Sequence, residues 1–497
     1  MSKAKKTTEE LLQEALLSKE EAPYEVPENW IWIELNDILN SLSYGILKPG
    51  DEDLEGIPMI RVLDIDYGKF RDTQLFKVSP ELHKEYSRTE TEVGDILLAV
   101  MATIGRAVVV DEEHSGFNVN RALAVLKLND KVIPQFVCNL ILSPYFQKIF
   151  VEKKLGSAQS RINLKDLRTF KIPLPPLNEQ KRIVEKLDIL LNKVDEAKQI
   201  IEEVKKTFEL RRTAILDKAF RGELTAQWRA ENKHIDSALE QIEEHHVRRV
   251  NEYKLNKSNK AKKPEYLKHE LKDVVKQNSN LPNEWVVAPV GFLCDCIVPG
   301  RDKPKSFTGN IPWVTIPDVI NDEIHDNQSK LSLSQQEIEE VNAKVIPENS
   351  VIMSCVGRFG ISTVVKRPIV INQQLHAFLP SELILPEYLM YHIKILKKYM
   401  SGIATSTTIA YLNKTNANSL PINLATIEEQ GVIVEILESL LSKLDAQESL
   451  ISEMDEKLET LKQSIFSKAF RGELGTNNPS EESAIELLKD ALQEQVK

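Results

Sequence analysis

The residue types that could do chemistry in this chain do not fall at the spacings chemistry needs. Nine histidines include no HExxH pair that would hold a metal beside a general base, and His245-His246 sit together in a polar stretch. Gly45 to Gly50 is not followed by Lys-Ser/Thr, so nothing there cradles a phosphate, and no GxGxxG opens a helix after a strand. The Asn/Asp-Pro-Pro-Tyr/Phe tetrapeptide of amino-group methylation is missing, and Pro317-Asp318 lacks the following Glu-x-Lys of a nuclease metal site. Cys138, Cys294, Cys296 and Cys355 form no paired CxxC, so Cys294-x-Cys296 reads as two buried thiols rather than a zinc site. The pattern points to a protein that binds rather than catalyses, with no metal.

A chain of 497 residues suffices for three or four domains. A net charge of −11 and a pI near 5.6 argue against a uniformly basic nucleic-acid binder while leaving room for a local basic groove. Unpaired cysteines suggest a reducing, cytoplasmic setting. The longest apolar runs, such as Ile96 to Ala102, are far short of a membrane span, and no apolar segment follows the Lys-rich start as in an export signal.

One string occurs twice. KAFRGEL fills Lys218 to Leu224 and again Lys468 to Leu474, and Glu179-Gln180 and Glu429-Gln430 share the same offset of 250. Ahead of the first copy, Ile183, Leu187, Leu190, Val194, Ala197, Ile201, Val204, Phe208 and Ile215 alternate by steps of four and three, with Arg211 as a polar break. Ile433, Leu437, Leu440, Leu444, Gln447, Ile451, Met454, Leu458, Leu461 and Ile465 repeat the pattern. Both are heptad seams, each on a helix roughly 50 Å long, and Gly222 and Gly472 stand where such a helix would end. The two stripes can bury each other as an intramolecular coiled coil, whose direction the heptads do not fix.

The duplication continues more loosely between the helices. Trp30 answers Trp285, Gly56 to Ile65 answers Asn310 to Val319, Gly105 answers Gly360, and Val119-Asn120 answers Ile371-Asn372. These short Val/Ile-rich runs punctuated by Gly, Pro and Asn read as strands and turns, with helices over 133–154 and 385–400. The expected division is a helical extension over 1–22, globules over 23–178 and 281–428, long helices over 179–222 and 429–475, a linker with a helical, basic segment over 223–280 and a tail over 476–497. His245 to Lys276 carries ten Lys/Arg against four Asp/Glu and reads as a solvated linker. SerAlaIleGluLeuLeu at 483–488 resembles SerAlaLeuGluGlnIle at 237–242, which gives the two halves a circular pattern.

Two variable globules, each followed by a heptad helix closing in KAFRGEL, resemble the specificity subunit of type I restriction-modification enzymes over nearly the whole chain. The most specific pieces are IPLPPLNEQKRIVEKLDILLNKVD at 172–195 and LDKAFRGELTAQWRAEN at 216–232. The second entry to the helix, Pro421-Ile-Asn-Leu-Ala-Thr-Ile-Glu-Glu-Gln, departs from Pro173-Leu-Pro-Pro-Leu-Asn-Glu-Gln: it lacks the Pro-Pro and reads as two residues longer.

The resemblance implies an α+β fold: two tandem-duplicated α/β target recognition domains joined by an antiparallel coiled coil, with pseudo-two-fold symmetry. Each domain would read one half of a split, asymmetric duplex DNA target, with the coil as a ruler. Two methyltransferase subunits and motor-nuclease subunits would be partners, with S-adenosylmethionine, ATP and Mg in those partners and no cofactor on this chain. Base reading needs Arg, Asn, Gln, Ser or Thr on loops, and register needs Lys or Arg on phosphates. The candidates are Arg61, Arg106, Asn120, Arg121, Gln159, Ser160 and Arg161 in the first globule. In the second they are Arg301, Lys303, Lys305, Arg358, Gln373, Gln374, Thr405, Ser406, Thr407 and Thr408. Asn120 and Asn372 also suit turns that bond their own backbone. Glu179-Gln180 and Glu429-Gln430 suit either helix starts or partner contacts. The competing function is a coiled-coil scaffold for protein partners with no DNA role.

Overall fold

The computed structural model describes residues 7–155, 161–233, 237–255, 270–300, 302–325, 331–405 and 409–496. The chain forms two compact units: one takes Met1–Glu202 together with Ser452–Lys497, the other Glu203–Ile451. Each unit holds one globule, the start of one long helix and the end of the other.

Within the first unit, strands Leu39–Tyr44, Leu123–Leu128, Ile96–Ala99 and Ala107–Val109 form an antiparallel sheet in that order. A second sheet places Ile57–Ile60 between antiparallel Phe76–Val78 and parallel Asn118–Val119. The second unit repeats both. Cys296–Ile297, Leu375–Phe378, Val351–Ser354 and Ser362–Val364 make the four-stranded sheet, and Ile311–Val314 lies between Ser332–Leu333 and Val370–Ile371. The helices expected behind each sheet are each split in two: Pro134–Leu142 and Pro144–Leu155, then Pro386–Ile395 and Lys397–Ile403. They bury Phe136, Leu140 and Phe146 in one core and Tyr388, His392 and Met400 in the other.

A short antiparallel ribbon leads into each long helix: Ile31–Glu34 with Lys171–Leu174, and Val286–Pro289 with Pro421–Leu424. Trp32 faces Pro173 and Val287 faces Asn423, so the two approaches are equally long and the expected two-residue insertion does not exist. What changes is a hydrogen bond. Pro173 has no N–H, whereas the Asn423 N–H donates to buried His392 Nε2 at 2.9 Å. An apolar helix position in one unit therefore becomes an acceptor in the other.

The long helices run Leu177–Phe220 and Ile427–Phe470. Asp195 and Lys198 meet Lys462 and Glu459 in the first unit, and Arg212 and Thr225 meet Asp445 and Glu429 in the second. Residue numbers rise on one helix as they fall on its partner, so the pairing is antiparallel. The seam of the second helix slips from the expected heptad. Met454 and Leu461 are exposed, Leu441 is buried, and Asp455 and Lys462 are half-buried in the positions beside them. An α-helix of 3.6 residues per turn drifts by about 20° per strict heptad, so a seam not held straight by supercoiling moves in places onto the neighbouring residues. Arg211 and Gln447 point outward for the same reason; Arg212 is the polar residue at the joint, 2.6 Å from Asp445.

The stretch after the first KAFRGEL is not a solvated linker throughout. Ala238–Leu255 is a helix that buries Ala238 and Ile242, stacks His246 on Phe292 and pairs Arg248 with Glu382 and Arg249 with Asp295. The tail helix Ala484–Val496 occupies the same place in the first unit: Ala484 N–H donates to Asn29 O at 3.0 Å, as Ala238 N–H does to Glu284 O at 2.9 Å. No helix among the described residues is long and apolar enough to cross a membrane.

Candidate nucleic-acid interface

In each globule the loops carrying the sequence candidates converge on one edge. The turn Asn120-Arg121-Ala122 is an Asx turn: Asn120 Oδ1 accepts from Ala122 N–H at 3.0 Å, and Asn120 N–H donates to Ile60 O at 2.9 Å. Val100 N–H bonds Ala122 O, Ile162 N–H bonds Val100 O, and Met101 bridges Arg161, which brings the 100–106 loop and Arg161 to the same turn. The second globule builds the edge again. Asn372 Oδ1 accepts from Gln374 N–H at 3.0 Å, Cys355 N–H donates to Gln374 O, and Val356 bridges Tyr411, which in turn bridges Thr405. Both asparagines are thus turn residues.

The cations at the edge divide by whether a carboxylate already holds them. Arg61 grips buried Asp64 at 3.0 and 3.1 Å and donates to Gln74 O. Arg106 lies 3.6 Å from Asp66 and against Tyr67. Those two guanidiniums brace a loop. Arg121, Arg161, Lys303, Lys305 and Arg358 make no ion pair among the described residues, and Lys303, Lys305 and Arg358 are exposed. Gln373 and Gln374 are exposed, with Gln373 Nε2 donating to Gly300 O at 3.0 Å. Thr405 bonds Tyr411 O through its hydroxyl. Gln159, Ser160, Arg301, Ser406, Thr407 and Thr408 lie outside the described residues.

The sequence reading missed the aromatic part of the second edge. A cavity of about 520 Å³ is lined by Lys303, Phe307, Trp313, Asn372 and Gln373. Met59, buried with Ile46 and Val78, holds the place of Trp313 in the first globule's sheet. The signal was available in the repeat, because Trp313 aligns with Met59 through Gly56-Ile-Pro and Asn310-Ile-Pro.

Away from this edge, the four cysteines are buried and free, and burial pushes the Cys138, Cys296 and Cys355 thiols up to about 12. Among the described residues no three His, Cys, Asp or Glu side chains gather as metal ligands. Glu179 and Glu429 are the buried hubs where each globule meets its helix. Glu179 accepts from Trp30 and Asn477 at 2.8 Å, and Glu429 accepts from Trp285 at 2.8 Å, Thr225 at 2.6 Å and Arg229. Beside them, Gln180 and Gln430 cap the helices behind the sheet by accepting from Ile133 and Leu385 N–H.

Residues 27–206 and 282–455 match the family described as the type I restriction modification DNA specificity domain, and the chain belongs to that family. The type I restriction enzyme EcoBI specificity subunit of Escherichia coli is 37% identical over 213 residues, 42% of this chain and 44% of that subunit, so the match spans less than half of that relative. The StySPI specificity subunit of Salmonella potsdam is 24% identical over 479 residues, 90% of each chain. Two solved chains share the fold. One, from a type I R-M system described for its assembly and conformational transition, has a TM-score of 0.64 at 20% identity, covering 91% of this chain and 100% of that one. The HsdS subunit from Thermoanaerobacter tengcongensis gives 0.55 at 22% identity with the same coverage.

Proposed function

We propose that this chain is the DNA specificity subunit of a type I restriction-modification complex. Each globule reads one half of a bipartite, asymmetric duplex target and directs adenine methylation and restriction by partner subunits. The observation that carries this reading is the edge built twice from the same turn and loops but furnished with different polar side chains, in a chain whose family is defined by DNA specificity. A repeated frame with unlike readers suits a target of two unlike halves. Phosphate contacts would come from cations without carboxylate partners, and base contacts from the amides and guanidiniums beside them.

Catalysis belongs to the partners in this reading. Two methyltransferase subunits would supply S-adenosylmethionine and motor-nuclease subunits ATP and Mg, in the cytoplasm, with this chain contributing recognition alone. The scaffold alternative gives no reason for two matched edges that, among the described residues, carry Arg121, Arg161, Lys303, Lys305 and Arg358 without a carboxylate partner. The test is a genome-wide methylation map of cells carrying the methyltransferase partner with and without this chain. Loss of a gapped, asymmetric motif on deletion supports the reading; an unchanged map with the partner expressed overturns it. In vitro, duplex binding by the assembled complex should weaken steeply with salt, because phosphate contacts release counterions.

A further inference from the structure

We propose that the Asx turn is the base-reading element of both globules, Arg121 reading a guanine in one half-site and Gln373 an adenine in the other. The inference rests on the DNA-specificity reading above. The turn is one object built twice. Asn120 and Asn372 each accept from the residue two ahead, donate their N–H to the neighbouring strand at Ile60 or Val314, and accept from Leu123 or Leu375. Ala122 O and Gln374 O each accept from the N–H that opens the adjacent hairpin loop, Val100 or Cys355. Both sides of the turn are therefore held, and what differs is the side chains it presents: residues 121 and 373 occupy the same step, and Ala122 stands where the second turn has Gln374.

The hydrogen-bonding state of those tips selects the base. Arg121 makes no side-chain hydrogen bond or ion pair among the described residues, unlike Arg61 and Arg106, so its fork of donors is available. A guanidinium fork matches O6 and N7 of guanine in the major groove. Gln373 spends one N–H on Gly300 O, which holds the amide, and among the described residues its second N–H and its Oε1 have no partner. That remaining donor and acceptor match N7 and the N6 amino group of adenine. Gln374 is less suited, since its Oε1 already accepts from Asn372 Nδ2 at 3.1 Å. Gln373 also lines the cavity beside Lys303 and Trp313, where a base edge has room to approach.

The test is the methylation motif written by the full chain together with its methyltransferase partner. R121A should relax one guanine in one half-site by roughly 10-fold to 100-fold and leave the other half-site intact. R121Q should shift that position toward adenine, and Q373R should shift one adenine of the other half-site toward guanine. Uniform weakening with no base relaxed, as a phosphate contact would give, overturns the assignment, as does relaxation at a base other than guanine. Where R121A abolishes methylation, binding of the purified complex to four duplexes differing only at that position decides: equal loss on all four overturns the proposal. A wild-type chain that writes no motif would instead defeat the DNA reading itself.

Discussion

Trp285 donates its indole N–H to the buried Glu429 carboxylate at 2.8 Å, a bond that Trp30 and Glu179 repeat at the same distance. The two hubs differ in what else they hold. Glu429 is ion-paired to the largely buried Arg229, whereas Glu179 is met by Asn477 and Thr476.

Removing the charge should therefore be unequal. Glu429→Gln takes the carboxylate from partly buried Arg229, which keeps only Gly222 O and Thr225 Oγ1 as hydrogen-bond partners, and is expected to cost about 3 kcal/mol or more, the low end for breaking a buried pair. Glu179→Gln loses charge-assisted hydrogen bonds only, about 1.5–3 kcal/mol. Denaturant unfolding of the purified chain measures both, and equal losses would contradict the role given to Arg229.

Gly222 and Gly472 both sit at φ +74°, and a Cβ on either would run into the ring of Pro282 or Pro27. The left-handed backbone alone penalises an L-residue by about 1–2 kcal/mol, and the proline contact adds to it. Gly222→Ala and Gly472→Ala should each lower the melting temperature, whereas Gly402→Ala, with open space around it, should not lower it through a clash.

Arg61→Ala is expected to act on stability rather than on sequence choice. Its guanidinium belongs to Asp64, which is buried and also accepts from Thr73 at 2.6 Å. Losing one partner of that carboxylate should cost about 1–3 kcal/mol. A methylation map of the variant should show the wild-type motif, and a relaxed position there would show that Arg61 reads a base.

Acid should weaken the second unit more than the first. Burial pushes His392 down to about 3 and His376 down to about 4, so both stay neutral in the folded unit while the unfolded chain takes up protons below about 6.5. The unfolded state binds more protons in that window, so stability falls as pH drops from about 6.5 toward 4, by up to about 1.4 kcal/mol per pH unit for each histidine. The double variant His392→Leu with Asn423→Pro copies the first unit's Leu140 and Pro173 and should flatten the dependence, read as urea midpoints at pH 7 and 5.

The slipped seam gives a contrast on the second long helix. Leu461→Glu, at an exposed position, should change stability by no more than about 0.5 kcal/mol. Ile465→Ala, four residues on and buried, should cost about 2–5 kcal/mol by leaving a cavity. Comparable losses from both would restore the strict heptad.

Much of this architecture was legible because repetition is a length measurement. Equal offsets gave the paired helices and the matching glycines without any energy argument, and the two tryptophans followed from the looser repeat ahead of those helices. The seam slip was not legible, since a heptad written in letters assumes the supercoil that would keep it straight. The Pro-Pro departure reads as an insertion when prolines are matched to prolines, whereas strand pairing puts Asn423 in the place of Pro173. Arg61 looked like a reader because one sequence does not reveal that Asp64 turns back to meet it. Asn120 and Asn372 mattered as the frame of the turn, and the residues after them as what it presents.

The tail helix that fills the first unit also sets an order of events at the ribosome. Glu203–Ile451 is contiguous, so the second unit has all its parts as soon as that stretch emerges. The first unit has its sheets early but lacks Ile465, Phe466, Phe470, Leu488 and Leu492, which belong to its core. It must wait, with apolar surface uncovered, until some 250 further residues have been made. The half synthesised first is thus the half completed last, and it is the one whose apolar surface stays uncovered longest during translation.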